Sequence, residues 1–327
     1  MAGLQNRLLA GLGLSLLVSI AAAAPHYSAT AQATSGTMNI PGTTDYKSDA
    51  GAVPLTFSAV SAQRENFGPG GMAQAEGTSS GFASATPGGV RVFAIANGVV
   101  QGVGSSNMNA QGGSGANASL DDAFTIVANQ CGNPALCGNG AFGTLSFSIV
   151  AHGSIGGGGG PAYGVGGQWT ADFSMTTGYL PGAPLDTYVA WHGDHAISEY
   201  NGAPPYEDSH DSFGTKTFTV SFAFGTPINL HMAASATAQA GASFIYGPSS
   251  AGFVTDLSHT LGWGGISSVT DAGGHAISYS ALGASGFDFA QAFTSPVPEP
   301  ASPLMMGVGL LALLSLSRTR PGAARRP

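Results

Sequence analysis

The chain has 327 residues, 43% of them hydrophobic and only 8% charged, with seventeen acidic against nine basic side chains and a formal net charge of −8. Away from the two ends the bases are Lys47, Arg64, Arg91 and Lys216, while every acid but Glu299 lies there too. Such an acidic body repels phosphate backbones, which excludes nucleic acid as a partner, and its regularly spaced Phe, Val, Ile and Leu exclude a disordered chain.

Arg7 precedes an apolar stretch from Leu8 to Ala24 and the small-residue sites Ala29-Thr30-Ala31 and Ala31-Gln32-Ala33. A basic residue, an apolar core and an A-x-A site describe a secretory signal peptide, expected over 1–33 with cleavage near Ala33. Residues 34–119 are β-rich, with VPLTFSAV and VRVFAIA, and form either a separate domain or extra strands of the sandwich that follows. The G-x-S-x-G match at Gly77-Thr78-Ser79-Ser80-Gly81 has no helix pattern after it, so it is not a nucleophile elbow.

From 120 to 294 alternation with period two dominates. Phe218, Val220, Phe222 and Phe224 point one way; so do Leu145, Phe147 and Ile149, and Trp169, Ala171, Phe173 and Met175. The opposite faces are Thr- and Ser-rich, which predicts an all-β, antiparallel β-sandwich or jelly roll. Cys131 and Cys137, in QCGNPALCGNG, are expected to form a disulfide that stiffens a hairpin tip. The glycine run 156–160 reads as a surface loop.

Two constellations within this region could carry chemistry. In WHGDHAISEYNGAPPYEDSHD, His192 and Asp194 share a face of an extended chain; with His195 and Asp208 they could hold a divalent ion, against the plainer reading of a solvated acidic loop. Trp263, between glycines in LGWGG, is the tryptophan expected to be exposed and able to stack on a sugar ring.

The chain closes on PVPEPASPLMMGVGLLALLSLSRTRPGAARRP. Its prolines favour an extended segment. The apolar run from Ala301 to Ser317 would make a helix of roughly 26 Å, a minimal membrane span. Arg318, Arg320, Arg325 and Arg326 would hold its tip in the cytoplasm. Val297-Pro298-Glu299-Pro300, the short span and the basic tip together resemble the PEP-CTERM sorting signal (295–327), whose recognition enzyme is exosortase, a membrane-embedded transpeptidase-like protein. The resemblance implies a non-enzymatic protein without a cofactor, exported through the cytoplasmic membrane and transiently anchored in it. After C-terminal processing it would reach the cell surface or an exopolysaccharide biofilm matrix. The alternatives are a carbohydrate-binding module and a metal-dependent hydrolase around His192, Asp194 and His195.

Overall fold

Alternation governs the body from its first strand onward. The computed structural model describes residues 24–37, 40, 42–67, 73–102, 108–160, 163–178, 180, 182–183, 185–200, 206–210, 213–245 and 247–294. Two antiparallel sheets pack face to face. Sheet A has eight strands: β1 (His26–Thr37), β2 (Thr43–Gly51), β6 (Asn109–Ala128), β9 (Tyr163–Thr176), β10 (Tyr188–Tyr200), β11 (Tyr206–His210), β13 (Pro227–Ser243) and β15 (Tyr279–Gly283). Sheet B has seven: β3 (Leu55–Phe67), β4 (Ala73–Thr86), β5 (Gly89–Gly102), β7 (Phe142–Ala151), β8 (Ser154–Gly159), β12 (Gly214–Ala223) and β14 (Ser249–Asp271). The strand order is β11-β10-β9-β13-β6-β1-β2 in sheet A, with β15 also on β6, and β12-β7-β14-β5-β4-β3 in sheet B, with β8 also on β14. Residues 34–119 thus feed strands to both sheets, and no separate domain forms.

β1 corrects the expected N-terminal boundary. It pairs with β2 on one side and β6 on the other, and Tyr27, Ala29, Ala31 and Ala33 are all buried. A cut near Ala33 would remove most of an interior strand of sheet A. The apolar stretch before Ala24 lies outside the described residues.

The sandwich is a wedge. At its thick end, Trp263 stacks on Phe147 with centroids 4.9 Å apart and meets Phe124 edge-on, and Phe289 stacks on Phe124 at 4.5 Å. At its thin end the inward residues are Ala, Gly and Ser, and the two backbones approach each other directly. A Cβ placed on Gly77 of β4 would lie 2.1 Å from Gln111 O of β6, and one on Gly112 would lie 2.2 Å from Thr78 O. Packed sheets ordinarily stand roughly 10 Å apart, with side chains filling the gap. Here hydroxyls bridge it: Ser79 Oγ donates to Thr34 O (2.6 Å), Ser114 Oγ to Ile95 O (2.9 Å) and Thr255 Oγ1 to Thr237 O (2.7 Å). These bonds satisfy small polar groups that burial would otherwise penalise. They also give Ser79, centre of the G-x-S-x-G match, a structural role.

Three further expectations change. The glycine run is strand rather than loop: β8 pairs with β14, and a Cβ on Gly157 would strike Gly252 O at 2.3 Å and the Phe253 ring at 2.5 Å. The cysteines are bonded, with an S–S distance of 1.98 Å, but they bracket the helical turn α1 (Pro134–Cys137) rather than a hairpin tip. Since β6 lies in sheet A and β7 in sheet B, the bond staples a crossover between sheets. Finally, among the described residues no helix is long and apolar enough to cross a membrane; α1 has four residues. The anchor helix expected after Ala301 has no counterpart there, and the transiently membrane-anchored location built on it has no support among the described residues. The segment itself, including Val297, Pro298, Glu299, Pro300, Arg318, Arg320, Arg325 and Arg326, lies outside the described residues.

Candidate functional site

The outward face of sheet A is polar, and pairing register sets its rows. One row runs Asp194, Thr170, Ser235, Asn117, Thr30 from β10 to β1; the next runs Ala196, Gln168, Thr237, Gly115, Gln32; a third runs Ser198, Gly166, Gln239, Gly113, Thr34. Side chains two residues apart on a strand share a face, so each row stands about 7 Å from the next.

Over the thin end this face sinks into an open trough of about 900 Å³. The trough crosses the strands. Its lining begins with Tyr206 and Tyr200 on β11 and β10, continues through Gly164 and Gly166 on β9, Gln239 and Gly241 on β13, and Gln111 and Gly113 on β6, and reaches Thr34 on β1. Tyr200 and Tyr206 are each 67% exposed. The Tyr200 ring flanks Gly164, with Cδ2 3.3 Å from where a Cβ would stand. Glu199, also in the lining, accepts a hydrogen bond from the buried Tyr163 hydroxyl.

Two outward glycines, Gly241 and Gly115, differ from those inside. A Cβ on Gly241 would meet nothing closer than Ala110 O at 3.9 Å, and one on Gly115, outside the trough, nothing closer than Ala236 O at 4.0 Å; neither has a positive φ. Glycine in a strand interior costs roughly 0.5–1 kcal/mol relative to alanine. Neither packing nor backbone conformation accounts for it at these two positions. A strand glycine is one mark of a site where something approaches the backbone closely.

No protein-family model, curated protein or solved structure matches the chain.

The geometry of this face separates the residues of the expected metal cluster. His192 and Asp194 do share the outward face, but His195 sits opposite Ser209 and Trp169, on the other face of β10. His195 Nε2 lies 2.9 Å from Glu207 Oε1 there. On the outward face His192 and His210 bond different carboxylates: His192 Nδ1 bonds Asp172 Oδ1 at 2.6 Å, with its Nε2 3.9 Å from Asp194 Oδ2, and Asp194 Oδ1 accepts from both the backbone N–H and the ring of His210. Asp208 stands opposite Ala196, one row away from Asp194. Among the described residues no three His, Cys, Asp or Glu are placed to hold a metal ion. The hydrogen bond that His192 donates to Asp172 is the main cause that raises the His192 pKa above its ordinary value.

Trp263 is likewise corrected, being 1% exposed. β14 shifts register after Trp263, and the indole turns inward, where Nε1 donates to Phe289 O at 2.7 Å. Its flanking glycines give room to neighbours rather than exposing the ring: a Cβ on Gly264 would lie 2.3 Å from Ser148 Oγ. Trp169 and Trp191 are buried as well. The exposed aromatics of the face are tyrosines. Reading the sequence alone singled out neither Tyr200 nor Tyr206, although their place beside the Gly-Ala-Pro-Pro stretch of the β10–β11 connection is a usable signal.

Proposed function

We propose that this protein binds carbohydrate in the trough on the outward face of sheet A. The observation that carries the reading is the bare floor at Gly241, where the space for a side chain is open, beside two tyrosines that are each two-thirds exposed. Sugar rings present apolar C–H faces to aromatic rings and hydroxyls to amides and alcohols. Tyr200 and Tyr206 supply the former; Gln111, Gln239, Ser198 and Thr34 supply the latter. The proposal assigns no reaction to the site.

Affinity electrophoresis of the full chain through gels containing a panel of polysaccharides tests it. The protein is expected to be retarded by at least one polymer. The double substitution Tyr200→Ala, Tyr206→Ala should abolish the retardation while leaving the denaturation midpoint unchanged, because both rings are exposed. Free migration through every polymer, or retardation that survives the double substitution, would refute the proposal.

A further inference from the structure

Resting on the carbohydrate reading, we infer that the ligand is a linear, uncharged glycan held at mid-chain, lying across the strands. Direction comes from the lining. The trough draws residues from β11, β10, β9, β13, β6 and β1, six consecutive strands of one sheet. At 4.7–4.9 Å between neighbouring strands that is a path of roughly 24 Å, room for about four or five pyranose rings in line. A pocket for a single sugar or a chain end would be closed by side chains. This floor instead runs through Gly166, Gly241 and Gly113 from one strand to the next.

The charge of the ligand follows from what lines the path. Among the described residues the trough has no Lys or Arg. Among the described residues the other bases are committed: Lys47 donates to Ser58 O at 2.6 Å and pairs with Asp45, Arg64 pairs with Glu76, Lys216 lies over Trp191, and Arg91 is engaged as well. With a net charge of −8, the protein repels a polyuronate or a sulfated chain. The one carboxylate in the lining, Glu199, already accepts the Tyr163 hydroxyl, so the site does not call for a cationic sugar either. A peptide strand fits less well, because it docks by adding to a sheet edge, and β9, β13, β6 and β1 are paired on both sides. The tyrosines stand at one end of the path and Gln111 four strands from Tyr206, so ring stacking anchors one end while amides hold the chain further along.

The test is calorimetric titration of the full chain with neutral β-linked gluco-, xylo- and manno-oligosaccharides, from disaccharide to hexasaccharide. Alginate oligomers serve as the acidic control. Affinity should rise at least about tenfold, some 1.4 kcal/mol, between disaccharide and pentasaccharide and then level off. Gln111→Ala should weaken the pentasaccharide several-fold and leave the disaccharide unchanged, a split that mere destabilisation of the fold would not produce. Equal affinity for disaccharide and hexasaccharide would overturn the inference, as would preference for alginate, while leaving sugar binding at the trough intact. If no sugar binds and the protein self-associates in a manner abolished by Tyr200→Ala, the occupant is a second copy, and both readings fail.

Discussion

Replacing Gly241 by valine separates a binding floor from a structural glycine. Gly241 lies on β13 opposite Gly164 of β9 and Gln111 of β6, and the nearest atoms to an added Cβ are Ala110 O at 3.9 Å and Gly164 O at 4.0 Å. The methyl root of the new side chain therefore fits at ordinary contact distance. Removing a glycine where the backbone is compatible restricts the unfolded chain and stabilises by about 0.4–1 kcal/mol. Valine's preference for strands adds in the same direction. For a domain of this size Tm should rise by about 2–4 °C. The same isopropyl group stands in the trough, and affinity for the retarding polysaccharide should fall at least about tenfold. Differential scanning calorimetry and affinity electrophoresis on one preparation read both quantities. A lowered Tm would mean that the fold needs this glycine. Unchanged affinity would mean that nothing touches the floor. Either result refutes the reasoning.

Other perturbations probe the wedge and its rim. Gly77→Ala, with its Cβ 2.1 Å from a backbone carbonyl that is fixed in β6, should cost about 1–3 kcal/mol or more by urea denaturation; an unshifted midpoint would contradict direct backbone contact at the thin end. Trp263→Ala should cost about 3–5 kcal/mol by the same measurement, and a loss below about 1 kcal/mol would mean that the indole is not in the core. A chain beginning at Thr34 should show no cooperative unfolding, whereas one beginning at Ala24 should; cooperative unfolding of the shorter chain would refute an interior β1. His192, whose pKa is raised first by its hydrogen bond to Asp172, contributes stability that is complete below about pH 6.5 and is lost as pH rises through the higher folded value. Its ring resonances should titrate with a midpoint above 6.5 that drops back in Asp172→Asn, and an identical midpoint in the variant would dismiss the pair.

Strands with a large inward residue every second position were legible in the sequence. Phe147, Phe173 and Val220 all fall inside as the alternation requires, because a Phe or Val must be buried and leaves a clear period. The thin end was illegible for the opposite reason. Its inward residues are Ala, Ser and Gly, which carry little hydrophobic signal, and in β1 the alternation Ala29-Thr30-Ala31-Gln32-Ala33 matches both an A-x-A cleavage site and an inward-alanine strand. Only pairing with β2 and β6 decides between them. Trp263 reads as exposed in the sequence because glycine neighbours suggest a loop, when they also admit a neighbouring strand. The trough could not be read at all: Thr34, Gln111, Gly166, Tyr200 and Gln239 are scattered along the chain, and strand register alone gathers them. The period of two puts His192 and Asp194 on one face, and the same period turns His195, one residue on, to the other.

A concave outer face over a thin sandwich could be a mere by-product of the close approach within. The inner and outer glycines argue otherwise when taken separately. Gly77 and Gly112 are explained completely by the opposing backbone, since a side chain at either would push the sheets apart. Had the trough been incidental, the outward positions above that contact would be free to carry the Thr, Ser and Val that strands favour, as Thr170 and Ser235 do nearby. Gly241 instead forgoes strand propensity at a place in the trough where a side chain has room. Inward glycine sets the depth of the trough, and outward glycine keeps it clear, so the two sets have different physical causes. Substitution at Gly77 must therefore move stability, while substitution at Gly241 must move binding.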